Sequence, residues 1–106
     1  MSPGLDELES RKAEVVRLCR RFNVRRLWVF GSAVKGTWKP GTSDFDLSVE
    51  FGPRPPGMRA IEQFFGHQRE LEALLGRKVD IVEWSAAKNP FFRREVERHR
   101  KELYAA

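Results

Sequence analysis

The chain contains one cysteine, two histidines and no long apolar run. A lone Cys19 cannot form a disulfide within the chain, so no covalent staple is expected. Between Leu18 and Arg20 on a helical pattern, it reads as a small buried apolar side chain in a reducing compartment. No cysteine and histidine spacing suits a structural zinc site. His67 and His99 fall on helix faces among charged residues and take no catalytic role. No stretch approaches the ~20 apolar residues of a membrane span, and Met1 to Ser10 lacks the apolar region of a signal peptide. The expectation is a soluble cytoplasmic protein with no membrane association.

Bulky apolar side chains are plentiful instead. Eight Phe and three Trp in 106 residues suffice for one core, so residues 1–106 are expected to form a single domain. The net charge of +5 raises the question of a nucleic-acid partner. Basic residues gather in Arg11 to Arg26 and Arg93 to Lys101, but Glu14, Glu95, Glu97 and Glu102 are interspersed among them. That mixture describes solvated helix faces or a docking face for an acidic partner. The aromatic and basic pattern of an RNA-binding sheet is missing, and nucleic acid is not expected as a partner.

Leu5, Leu8, Val15, Leu18, Cys19 and Phe22 recur at helical spacing and predict one amphipathic helix ending near Asn23. Arg25 to Phe30 (RRLWVF) reads as a buried strand running into Gly31, and Lys35 to Ser43 as a loop. Asp44 to Phe51 (DFDLSVEF) alternates strictly, with Phe45, Leu47, Val49 and Phe51 on one side and Asp44, Asp46, Ser48 and Glu50 on the other. Three prolines make GPRPPG (52–57) a stiff linker. A second helix follows around Ile61, Phe64, Phe65, Leu71, Leu74 and Leu75, stopped by Gly76. Arg77 to Trp84 is a third strand, and Asn89-Pro90 opens a last helix that would dock Phe92, Val96 and Leu103. The predicted fold is α/β (α+β): a small sheet with helices on one face and the other face open and polar.

Asp44 and Asp46 share a strand face, and two carboxylates that close repel unless a cation neutralises them. A hard divalent ion such as Mg²⁺ suits an oxygen-only site with room for water and phosphate. Taken alone, an Asp-x-Asp favours a plainer reading, Asp44 capping a turn after Thr42-Ser43 and Asp46 a solvent-facing strand residue, because short motifs recur by chance. Two further features favour a site: Gly31-Ser32 after a buried strand, where a glycine admits phosphate oxygens to backbone N–H groups, and Asp80 on another strand between Val79 and Ile81.

Gly-Ser, eleven residues and then DFD, followed by VDIVE, closely resembles the nucleotidyltransferase superfamily that includes DNA polymerase β. The gap is one residue longer than is common there and falls in a loop. At this length the chain resembles the minimal nucleotidyltransferases (MNT), antitoxins paired with HEPN toxins. FGSAVKG, SDFDLSVEF, VDIVEW and the closing KNPFFRREVERHRKELYAA carry the likeness, the last resembling the family's C-terminal helix. The resemblance implies a nucleotidyltransferase fold with a small mixed β-sheet. It implies that Gly31 and Ser32 hold the triphosphate of ATP, that Asp44 and Asp46 ligate Mg²⁺, and that Asp80 ligates a second metal or activates the attacking hydroxyl. Two ions about 4 Å apart would serve in-line displacement at the α-phosphate. The implied function is transfer of AMP from ATP to a tyrosine of a HEPN ribonuclease toxin, within a hetero-oligomer. The alternatives are an antitoxin that acts by binding alone, and a transferase acting on a small molecule or an RNA end. Lys35 reads either as a point charge for the triphosphate or as a solvated lysine, and Trp38 either as a base-stacking ring or as cover for a hydrophobic edge. Tyr104 reads as a packed helix tyrosine.

Overall fold

A computed structural model of the chain describes residues 3–39 and 43–106. Met1, Ser2 and, within the expected loop, Pro40, Gly41 and Thr42 lie outside the described residues.

Four strands form one sheet in the order β3-β2-β1-β4, where β1 is Val24–Phe30, β2 Phe45–Phe51, β3 Val79–Glu83 and β4 Lys101–Ala105. β1 pairs antiparallel with both β2 and β4, whereas β2 and β3 are parallel. The alternation of β2 decides what each face carries. Phe45, Leu47 and Val49 are fully buried on one face, with Leu27 and Val29 of β1 and Val79 of β3 beside them. Covering this core are α1 (Pro3–Ser10), α2 (Lys12–Arg21) and α4 (His67–Leu75), through Leu8, Val15, Cys19, Leu71 and Leu75. Cys19 is a core residue as expected, and burial pushes its thiol up to about 12.

The expected N-terminal helix is two helices. The apolar spacing breaks between Leu8 and Val15, and the chain turns at Arg11, whose N–H donates to Leu8 O. Gly4 makes the turn useful: a Cβ there would lie 2.9 Å from Ala33 Cβ and 2.9 Å from Trp38 Cγ, so only glycine lets α1 press against them. Trp38 is buried, stacks on Phe45 at 5.1 Å and carries the Arg77 guanidinium 4.6 Å from its ring. It covers a hydrophobic edge and is closed to a nucleobase. Asn23, at φ 52, stops α2 in the left-handed conformation that Asn tolerates, and Gly76 ends α4 likewise at φ 67.

Two differences concern the C-terminal part. Asn89 caps α5 (Pro90–His99) by accepting from Phe91 N and Phe92 N, but the helix ends before Leu103. Arg100 is extended, and the expected last helical turn is instead the edge strand β4, with Tyr104 half-buried opposite Leu27. The reason is non-local: β1 offers an open edge that an extended tail can pair. The second sheet face is also not bare along its whole length. Trp28, Trp84 and Val96 form a smaller cluster there, joined by Phe30 and Phe92, and Ser48 lies fully buried on this face. Arg93 stacks over Trp84 at 4.2 Å and Arg100 over Trp28 at 4.2 Å, so two C-terminal cations serve packing rather than solvent. Among the described residues no helix is long and apolar enough to cross a membrane.

His67 is fully buried where a π-helical turn (Glu62–Gly66) enters α4, against Phe22 at 5.6 Å and Phe51 at 5.8 Å. Neither ring nitrogen has a hydrogen-bond partner, and burial pushes its pKa down to about 4. The unfolded imidazole takes up a proton near pH 6.5, before the native one does. Stability is therefore expected to fall by about 3 kcal/mol between pH 6.5 and pH 4, at ~1.4 kcal/mol per pKa unit. Urea unfolding at pH 7 and pH 4.5 checks this, and His67→Leu should remove most of the difference.

Candidate active site

At the end of β1 the chain leaves the sheet at Gly31 and enters a single helical turn, α3 (Ser32–Lys35). Gly31 has φ 74 and ψ −146, a conformation open to glycine alone, and a Cβ there would collide with Asp46 Oδ2. The turn is closed by Val34 N and Lys35 N donating to Gly31 O. Gly36 ends it at φ 82, its N–H donating to Ser32 O. The Gly-Ser pair expected to contact phosphate is thus folded onto one of the expected metal ligands.

Asp46 sits at the second position of β2, opposite Phe30 on β1 and Asp80 on β3. The parallel β2 and β3 are in register there, which brings two carboxylates from adjacent strands to one face. Asp44, immediately before β2, is the third. Burial, then the charge of Asp80, then that of Asp44, push the Asp46 carboxyl above its ordinary value. Asp80 and Asp44 therefore both bear on Asp46. Asp80 also lies 3.8 Å from Lys78 Nζ.

Among the described residues no three acidic, imidazole or thiol side chains converge tightly enough to enclose a metal ion. The donor chemistry nonetheless fits Mg²⁺: carboxylates only, with the central one still uncompensated, which is the imbalance a hard cation corrects.

Arg77 steadies the approach to Asp44. Its Nη1 donates to Ser43 O at 3.3 Å, its Nη2 pairs with Glu7 at 3.3 Å, and its guanidinium lies over Trp38 and Phe45. On the other side, α5 forms a wall. A cleft of about 200 Å³ runs between Phe30, Gly31 and Lys35 on one side and Phe92, Glu95 and His99 on the other. Glu95, about fifty residues beyond Asp44, gave no local sign of this position. A larger groove of about 430 Å³, between α2 and α4, contains none of the site residues.

A glycine-led turn over in-register aspartates on a small mixed sheet is the constellation of a nucleotide-transferring enzyme. The chain belongs to the family of the nucleotidyltransferase domain, whose model matches residues 14–103. It is 42% identical over 86 residues to the protein adenylyltransferase MntA of Thermococcus cleftensis, covering 80% of this chain and 82% of that one. Among solved structures, one described as that of a minimal nucleotidyltransferase superposes with TM-score 0.72 at 35% identity over 95% of both chains. A second belongs to the complex of a tri-AMPylated HEPN toxin of Shewanella oneidensis with an MNT antitoxin. It matches with TM-score 0.62 at 18% identity, over 92% of this chain and 72% of that chain, a likeness of fold.

Gly31→Ala is expected to cost roughly 2 kcal/mol or more in urea unfolding, since it adds both backbone strain and a side-chain collision. Asp46→Asn should act in the opposite direction. The native Asp46 carboxyl holds its proton more readily than the unfolded one, so its charge costs stability once the pH exceeds the folded pKa. The variant should be more stable than the natural protein at pH 7, and the gap should close as the pH falls below the ordinary carboxylate range. Thermal melts across that range check the crossover.

Proposed function

We propose that the chain is an antitoxin that transfers AMP from ATP to a tyrosine hydroxyl of a HEPN-type toxin in the cytoplasm. The observation that carries the reading is the contact of Gly31 with Asp46, with Asp80 in register beside it. It puts a turn suited to phosphate against carboxylates suited to a cation. Gly31 and Ser32 hold the β- and γ-phosphates through the first N–H groups of α3 and the serine hydroxyl. Asp44, Asp46 and Asp80 would hold Mg²⁺, which when bound supplies neutralisation of the triphosphate and of the pyrophosphate as it leaves.

The hydroxyl oxygen of the acceptor attacks the α-phosphorus, the bond from that phosphorus to the bridging oxygen of pyrophosphate breaks, and Asp80 takes up the hydroxyl proton. Phe30 and Phe92 exclude water from one side of the cleft. Adenylylation of a protein in particular is supported by the 42% identity to a protein adenylyltransferase. The tri-AMPylated toxin in the structural relative supports a HEPN acceptor of AMP.

Incubation of the cognate HEPN-type toxin with this protein, ATP and Mg²⁺ is expected to add whole AMP units to the toxin, read by intact-mass spectrometry. The Asp44→Asn, Asp46→Asn double variant should add none. A stable complex without any mass gain would instead mark an antitoxin acting by binding alone.

A further inference from the structure

The helical segment from Ile61 to Leu75 presents its faces against its composition at one end. Every fourth residue is buried, and those residues are Gln63, His67, Leu71 and Leu75. Two of the four are polar, and neither ring nitrogen of His67 is bonded. Gln63 needs the carbonyls of Phe22 and Gly52, at 3.0 and 3.2 Å, to satisfy its amide. Ile61 and Phe65, on the other side of the same turns, are meanwhile 57% and 50% exposed. Exchanging the two faces would bury the apolar pair and hydrate the polar one, so the observed register works against the hydrophobic effect. It is set within the π-helical turn Glu62–Gly66, a geometry that concentrates at functional positions.

We infer that Ile61 and Phe65 anchor a docking surface for the protein acceptor, which meets them with an apolar patch ringed by carboxylates; this rests on the proposed function in taking the acceptor to be a protein. The two side chains line a hollow of about 260 Å³ with Arg59, Glu62 and Arg69. A second hollow of about 270 Å³ adjoins it through Glu62 and Arg69 and reaches Met58 and Phe22. Glu62 meets the Arg59 charge at 2.7 Å, and Arg69 adds an exposed cation to the rim. The rim is therefore net positive, as is the chain at +5, which favours an acidic partner over a second copy. The π turn packs through Phe64 on Phe51 at 6.3 Å, at the end of β2 away from Asp46. Five residues of strand, about 17 Å, separate Phe51 from Asp46. A partner of domain size can be held at one end and offer its hydroxyl at the other.

The test is calorimetric titration of the cognate HEPN-type toxin with the full chain, the Ile61→Gln, Phe65→Gln double variant and Arg69→Glu. The double variant is expected to bind the toxin roughly thirtyfold more weakly, the scale of a lost aromatic anchor, with its thermal melt unchanged. Arg69→Glu should bind roughly fivefold more weakly and show a smaller loss of affinity with added salt than the natural protein. In the adenylylation assay the double variant should raise KM for the toxin and leave kcat in place, since the patch is remote from the aspartates. Unchanged affinity in the double variant would overturn the inference. A natural protein that sediments as a dimer, with a monomeric double variant, would assign the patch to a second copy and overturn it too. So would cosedimentation with phosphatidylglycerol vesicles that the double variant loses while it keeps the toxin. If the toxin is adenylylated with the same KM by every variant, the proposed function stands and this inference falls; if it binds through the patch but gains no AMP, the reverse holds.

Discussion

The strict alternation of β2 is the constraint from which the rest of the structure follows. Phe45, Leu47 and Val49 are fully buried, and a strand with three such residues on one side must present Asp46 and Ser48 on the other. A register slip by one residue would bury the aspartate and expose the core. The hydrophobic effect that holds the sheet to its helices therefore also fixes where the carboxylates point. Pairing with β3 then adds Asp80 beside Asp46, and pairing with β1 brings Phe30, and so Gly31, to the same end of the sheet.

This arrangement is electrostatically unfavourable. Asp46 is partly buried with the charges of Asp80 and Asp44 nearby, and its carboxyl responds by holding its proton more tightly. The surrounding packing absorbs that cost. Trp38, stacked on Phe45 and capped by Arg77, anchors the loop after α3, and the same arginine holds the backbone at Ser43. Gly4 lets α1 close over Trp38 and Ala33. The Gly31 turn and the aspartates beside it are thus kept in place by packing and ion pairs within the chain.

Helix α5 divides the second sheet face. Towards the middle of the sheet, Val96, with Trp84 and Trp28, seals Ser48 away from solvent, and Arg93 and Arg100 cover the indoles. Towards the Gly31 end, Phe92 meets Phe30 at 5.8 Å and Glu95 reaches Lys35. One helix therefore completes a small core and walls the cleft. Its continuation as β4 pairs with the otherwise open edge of β1, which leaves that edge shielded from association with other chains.

Sequence alone determined the features that depend on local pattern. Alternation placed Asp46 and Asp80 on strand faces away from the core, with Asp44 just ahead of β2, Asn23, Gly76 and Asn89 marked helix boundaries through their own backbone preferences, and FGSAVKG with DFD identified the family. Tertiary structure alone decided what depends on partners distant in the chain. The tail from Lys101 became a strand because β1 had a free edge, although its composition suits a helix equally well. Trp38 became core because Phe45 and Arg77 converge on it, and Lys35 met Glu95 because α5 crosses the sheet beside Gly31. A residue's periodicity records which way it faces, but the neighbour it meets there is set by strand pairing and helix packing, which no local window of the sequence contains.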